Sequence, residues 1–90
     1  MKLAFTPRGW ADYLHWQDAD RAMLLRVNDL ICDTLRSPFT GIGKPEPLVG
    51  NLKGWWSRRI TREHRMVYRV SGAGDSQSLE IAACRFHYGR

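Results

Sequence analysis

Five arginines crowd into residues 58–69: Arg58, Arg59, Arg62, Arg65 and Arg69. They are interleaved with His64 and Tyr68 and preceded by Trp55 and Trp56. Guanidinium groups match the geometry of phosphate oxygens, and flat rings stack on unpaired bases. The same run also reads as a solvated strand face, with arginine stems lying over buried tryptophans. Upstream, Glu46 stands between Pro45 and Pro47, and Lys44 also precedes a proline. Proline fixes its own φ and pushes the residue before it toward extended backbone. A stiff, extended segment suits a carboxylate that must be held against a reacting atom; it equally suits a rigid surface turn with an incidental charge. His87-Tyr88 follows the last apolar stretch. Histidine can give or take a proton near neutral pH, but His15 and His64 compete for that role.

One carboxylate, a group of guanidiniums and an imidazole together suit one reaction, RNA cleavage by its own 2′-hydroxyl. That reaction needs a base for the hydroxyl, cations for the crowded phosphorane and an acid for the leaving 5′-oxygen. It needs no metal, and no histidine, cysteine or carboxylate cluster here has ligand spacing; no cofactor is expected.

Charge placement agrees with a polyanionic partner. Residues 1–37 hold five basic and five acidic side chains, whereas residues 38–90 hold nine and four, so the whole excess of +5 lies in the second half. A localised excess of this kind attracts nucleic acid, although a basic surface without a partner has the same signature. The charge-neutral helical half argues against a DNA-binding helix-turn-helix. Nothing resembles a signal peptide or a membrane span, and Cys32 and Cys84 form no CxxC pair, which points to reduced, mostly buried thiols in a cytoplasmic protein without membrane contact.

These groups must be positioned by few elements, because 90 residues make one small domain, 1–90. Residues 2–5 alternate as an opening strand. Thr6-Pro7 starts a helix to about Gln17, with Trp10, Tyr13, Leu14 and Gln17 on one side. A second helix follows Asp18-Ala19-Asp20; Met23, Val27, Leu30, Ile31 and Leu35 form its apolar stripe, while Arg26, Asp29, Asp33 and Arg36 face away, and Pro38 ends it. Residues 38–50 are a glycine- and proline-rich loop, long enough to be functional. Strands are expected over 55–60, 65–70 and 79–86, antiparallel because their connections are short. In the middle one Met66, Tyr68 and Val70 should meet the helices, leaving Arg65, Val67 and Arg69 on an open face. Alternation does not settle the strand at 55–60, where both parities carry a tryptophan and an arginine. The fold class is therefore α+β, with two N-terminal helices packed on one face of a small antiparallel sheet.

The run Gly43-Lys44-Pro45-Glu46-Pro47-Leu48, followed by Asn51-Leu52, Gly54, Trp56-Ser57-Arg58-Arg59-Ile60-Thr61, His64-Arg65, Val67-Tyr68, Ile81-Ala82-Ala83-Cys84-Arg85 and His87-Tyr88, resembles the YoeB/Txe toxins of the RelE/ParE superfamily. Trp10, Asp12-Tyr13-Leu14, Trp16-Gln17, Asp33-Thr34 and Pro38-Phe39 extend the likeness to the front of the chain. The resemblance implies a microbial-ribonuclease-like fold and a toxin that cuts mRNA in the ribosomal A site. It implies inhibition by a cognate YefM/Axe-like antitoxin, and it allows a homodimer. By the same resemblance Glu46 would be the general base, Arg65 the transition-state stabiliser and His87 the general acid, which selects His87 over His15 and His64. Lys44 and Arg59 would support phosphate binding, and Tyr88 would position the substrate. The competing reading is a ParE-like inhibitor of a protein target on the same fold, without RNA cleavage; those relatives generally lack the full Glu, Arg and His set. Ile42, Val49 and Gly50 depart from basic or polar residues that related chains carry in this loop, which puts some ribosome or RNA contact in doubt.

Overall fold

The computed structural model describes residues 1–87. It begins with β1 (Lys2–Phe5), α1 (Pro7–Ala19) and α2 (Arg21–Arg36), then β2 (Glu46–Pro47), β3 (Trp56–Arg59), β4 (Arg65–Ser71) and β5 (Ser78–Ala83). Single turns of 3-10 helix lie at Gly50–Leu52 and Gly74–Ser76. Both helices start on a side-chain cap. Thr6 Oγ1 accepts from the Gly9 amide at 3.0 Å, with Pro7 in the first helical turn, and Asp20 Oδ1 accepts from the Met23 amide at 3.2 Å. Asp20 also closes α1, donating its own amide to Trp16 O, so one extended residue ends one helix and opens the next. That carries α1 two residues past Gln17. No helix of the described residues is long and apolar enough to cross a membrane.

The strands form one sheet in the order β1-β5-β4-β3-β2. The pairs β2–β3, β3–β4 and β4–β5 are antiparallel as their short connections require. β1 joins parallel to β5, Lys2 opposite Ser78 and Phe5 opposite Ile81, so the sheet is mixed. The antiparallel expectation did not reach this pair because both helices lie between β1 and the rest of the sheet, and a crossover of that length permits parallel pairing. The two helices cover one face. Val27, Leu30, Ile31 and Trp16 close over Ile60, Met66, Tyr68, Leu79, Ile81 and Cys84, with Val70 packed alongside.

α1 turns a different side to the sheet from the one its aromatic spacing suggests. Gly9, Asp12 and Trp16 are buried, whereas Trp10 and Leu14 are exposed. The reason is proximity. A Cβ at Gly9 would stand 2.2 Å from Ile81 O, so the helix lies directly on the β5 backbone. Asp12 Oδ2 then accepts from the Cys84 amide at 3.0 Å and Trp16 Nε1 donates to Cys84 O at 2.8 Å. Trp10 stacks on Tyr13 instead, ring centroids 5.8 Å apart, beside Phe5. β5 also ends at Ala83, three residues before its expected limit, because side chains of α1 take over the polar groups of residue 84. Cys84 is buried and its thiol is pushed up to about 12, mainly by burial. Cys32, by contrast, is exposed, since it lies off the α2 stripe.

α2 carries a second departure. Asp33, expected on the solvent side, is buried, and Arg58 is buried completely. Arg58 lies opposite Met66 in the β3–β4 register and therefore points to the helix side of the sheet. All five of its N–H groups are used. Nη1 bonds Asp33 Oδ2 at 2.6 Å and Ile42 O at 3.0 Å; Nη2 bonds Ser37 O at 2.6 Å and Thr40 O at 2.8 Å; Nε bonds Tyr68 Oη at 3.3 Å. Tyr68 Oη in turn donates to Pro38 O at 2.6 Å, and Asp33 Oδ2 accepts from the Ile42 amide at 3.0 Å. Arg58 is thus the internal pin of residues 37–42 and not part of a phosphate-binding surface.

The Arg58 guanidinium, the Ile42 amide and Arg36 together hold the Asp33 carboxyl at about 2, against a usual 3.8. A carboxylate whose folded pKa is depressed stabilises the fold above its unfolded pKa and loses that contribution as pH falls through the folded value. Thermal unfolding of the wild type should therefore lose stability through this group as pH falls from the ordinary value of 3.8 toward about 2, most steeply between the two. Arg58→Met should weaken this acid dependence, of which Arg58 is the largest cause, and lower stability at neutral pH by about 3–5 kcal/mol, the usual loss on breaking a buried pair. Melting curves of both proteins across pH check this; an Arg58→Met protein that melts like the wild type would refute the pin.

Candidate active site

The pinned loop delivers Glu46. Beyond the Arg58 bonds, the Arg59 amide donates to Gly43 O at 2.6 Å, and Glu46 then pairs with Ser57, Pro47 with Trp56. A segment expected to be loop throughout thus contributes a short edge strand. Lys44 adopts φ 51°, in the left-handed region and not the extended one its following proline favours. The chain has to reverse between the bonds at Ile42 and Gly43 and the strand at Glu46, and Lys44 absorbs part of that turn. Its side chain is exposed.

On the open face of the sheet the register sets the neighbours. Glu46, Ser57 and Val67 lie in one row, Arg59 and Arg65 in the next. Arg65 Nη1 reaches Glu46 Oε1 at 3.2 Å. The Arg65 side chain is 12% exposed and the Glu46 side chain 51%, so the carboxylate stands at the rim and the guanidinium lies deeper. Arg59 is exposed and directly opposite Arg65. Two like charges at directly paired positions repel, and an anion between them relieves that repulsion. Arg65 Nε and Ser57 Oγ are both buried without a hydrogen-bond partner among the described residues. Buried polar atoms in this state are uncommon and call for a ligand or a water. Farther along the face Arg69 is committed elsewhere, to Glu80 Oε1 at 2.8 Å and to the Trp55 ring, 4.5 Å from its centroid.

His87 follows a residue that is bonded to the start of β4. The Arg65 amide donates to Phe86 O at 3.0 Å, which leaves half-buried His87 one residue beyond the Arg65 backbone. Glu46, Arg59 and Arg65 thus lie together at one end of β3 and β4, and the backbone leading into His87 passes beside the start of β4. His15 stays on α1, its ring beside Trp16. His64 sits where β4 begins, with its Nδ1 accepting from the Phe86 amide at 2.7 Å. Tyr88 lies outside the described residues. Among those described, no group of three His, Cys, Asp or Glu side chains could hold a metal ion. Sequence reasoning passed over Ser57 and Asp33. Nothing in the strand pattern marks Ser57, and Asp33, in the last turn of α2, reads as solvent-facing until the register of Arg58 is known.

Known proteins resemble this chain over nearly its whole length. Toxin YoeB of Escherichia coli (strain K12) is 56% identical over 88 residues, covering 98% of this chain and 100% of that one. A solved YoeB/ParE toxin from Agrobacterium tumefaciens, 58% identical, superposes with a TM-score of 0.94 and covers 98% of this chain and 100% of its own. YoeB from Staphylococcus aureus has been solved in a heterotetrameric complex with the antitoxin YefM, at 40% identity, a TM-score of 0.85 and 98% coverage of both chains; it is also known as a dimer. The profile of the YoeB-like toxin of bacterial type II toxin–antitoxin systems matches residues 5–88. With that match and these full-length identities, the chain belongs to the family of YoeB-like toxins of bacterial type II toxin–antitoxin systems.

Proposed function

We propose that residues 1–90 form one toxin domain that cuts mRNA in the ribosomal A site, without a metal ion, by attack of the RNA's own 2′-hydroxyl. The observation that carries this reading is the Glu46–Arg65 pair at 3.2 Å, with Arg65 Nε left without a partner among the described residues and Arg59 directly opposite. Glu46 takes the 2′-hydroxyl proton. The 2′-oxygen then bonds to phosphorus, and the phosphorane's equatorial oxygens receive N–H groups from Arg65, with Arg59 and Lys44 holding the flanking phosphates. His87 gives its proton to the 5′-oxygen as the P–O5′ bond breaks, leaving a cyclic phosphate and a free 5′-hydroxyl. A half-exposed carboxylate is placed to meet substrate, and a deep guanidinium is placed to act where the dielectric is low. Tyr88 is assigned to substrate positioning by the family resemblance alone.

The basic open face also suits an acidic, extended partner segment that folds as it binds. A YefM-like antitoxin is that partner in this reading, and the protein works in the cytoplasm, alone or as a homodimer.

Three outcomes test the proposal. Cleavage of a minimal RNA should survive excess EDTA; restoration by a single transition metal after EDTA loss would refute the metal-free mechanism. Expression of this chain alone should arrest growth, and co-expression of a small acidic antitoxin should relieve it and copurify; harmless expression without a partner would count against the toxin mechanism. Finally, Arg65→Ala should slow single-turnover cleavage by about 100- to 1000-fold, the usual loss for a transition-state charge donor, with much less change in substrate affinity. Arg65→Lys should recover only part, since lysine lacks the planar fork. His87→Ala should also slow cleavage, and its defect should shrink on RNA whose 5′-bridging oxygen is sulfur, a leaving group that needs no acid. The Arg65→Ala defect should persist on that substrate; equal rescue of both, or of neither, would remove His87 from the acid role.

A further inference from the structure

Phe86, the residue before His87, is held at both of its backbone polar groups by two consecutive residues. Its amide donates to His64 Nδ1 at 2.7 Å, and its carbonyl accepts from the Arg65 amide at 3.0 Å. Its φ is 66°, a sparsely populated region for a residue with a side chain, which persists only where the surroundings impose it. His64 is equipped to impose it. Its carbonyl accepts from the Ile60 and Thr61 amides at 3.0 and 3.2 Å, and its amide donates to Thr61 Oγ1 at 3.3 Å. Its ring meets the Trp16 indole edge-on, 4.9 Å between centroids at 81°. The same indole holds Cys84 O. Accepting at Nδ1 requires the ring's proton to sit on Nε2, so this histidine is occupied as an acceptor.

We infer that His64 is a positioning residue, whose Nδ1 fixes the Phe86 backbone and thereby the direction and reach of His87. The inference rests on the reading of His87 as the general acid. Past Ala83 the chain no longer has a β4 ladder partner at every residue. It is tethered at residue 84 by Asp12 and Trp16 and at residue 86 by His64 and Arg65. Cutting the His64 bond frees the Phe86 amide, next to the imidazole that must reach the leaving oxygen. Small misplacements of a reacting group cost rate far more than binding.

His64→Ala and His64→Asn separate this role from a merely structural one. Asn Oδ1 stands as many bonds from the backbone as Nδ1 and can accept from the Phe86 amide. On oxygen-linked mRNA in programmed ribosomes, His64→Ala should lower the single-turnover rate by up to about a hundredfold, and His64→Asn should regain most of it. On the 5′-sulfur substrate the His64→Ala defect should shrink in parallel with that of His87→Ala. By hydrogen exchange, the Phe86 amide should lose protection in His64→Ala and keep it in His64→Asn, while the Cys84 amide, held by Asp12, stays protected in both. A His64→Ala defect that persists on sulfur while His87→Ala is rescued would overturn the positioning role and leave the acid role standing. Unchanged Phe86 exchange in His64→Ala would overturn it as well. If sulfur rescues neither variant, the acid role falls and the positioning role with it.

Discussion

A guanidinium taken wholly out of water is costly unless every N–H finds an acceptor, and Arg58 meets that condition by gathering a loop around itself. Three of its five acceptors are backbone carbonyls of residues 37–42, and the other two are side chains of α2 and β4. Helix, loop and sheet are therefore held by one planar group with a fixed fork. No aliphatic side chain could do this, because the loop's carbonyls would remain buried and unpaired. The glycine at 41 shows how close the fit is: its φ is 116°, and a Cβ there would stand 2.1 Å from Asp33 Oδ2.

The sheet then divides its labour by parity. In β3, Trp56 and Arg58 face the helices and Ser57 and Arg59 face out; in β4, Met66 and Tyr68 face in and Arg65 and Val67 out. Holding Arg59 opposite Arg65, and leaving Arg65 Nε and Ser57 Oγ buried without partners among the described residues, costs the free protein stability. Such costs collect where a charged ligand is to be bound, because the donors are then already aimed before it arrives. The core under the helices supplies the rigidity that keeps the open face from collapsing onto itself.

Much of this was legible in the residues. β1, the α2 stripe through Val27, Leu30 and Ile31, and the inward set Met66, Tyr68 and Val70 follow from spacing alone, because burial of apolar side chains is the dominant force and leaves a periodic trace. Glu46 and Arg65 were singled out by chemistry and resemblance, and they lie in contact. What stayed hidden was specific polar pairing. Arg58 and Arg59 look identical in sequence, and only the register makes one a structural pin and the other a surface cation. Asp33 reads as solvent-facing because charge usually is; its burial depends on an arginine 25 positions away. The buried side of α1 was misread because a glycine and two hydrogen-bonding side chains, Asp12 and Trp16, outweigh the larger aromatic stripe when a helix must lie close on a strand.

The parallel pairing of Lys2 with Ser78 bears on biosynthesis. A chain made from its N-terminus exposes β1 with no partner until β5 has left the ribosome, so the sheet has high contact order and closes late. The tethers on Cys84 and Phe86 use Asp12, Trp16 and His64, which wait for the same moment. The segment leading into His87 is thus the last to be set in place. A nascent chain of this design carries its helices and its arginine cluster through synthesis before the sheet that aligns them has closed.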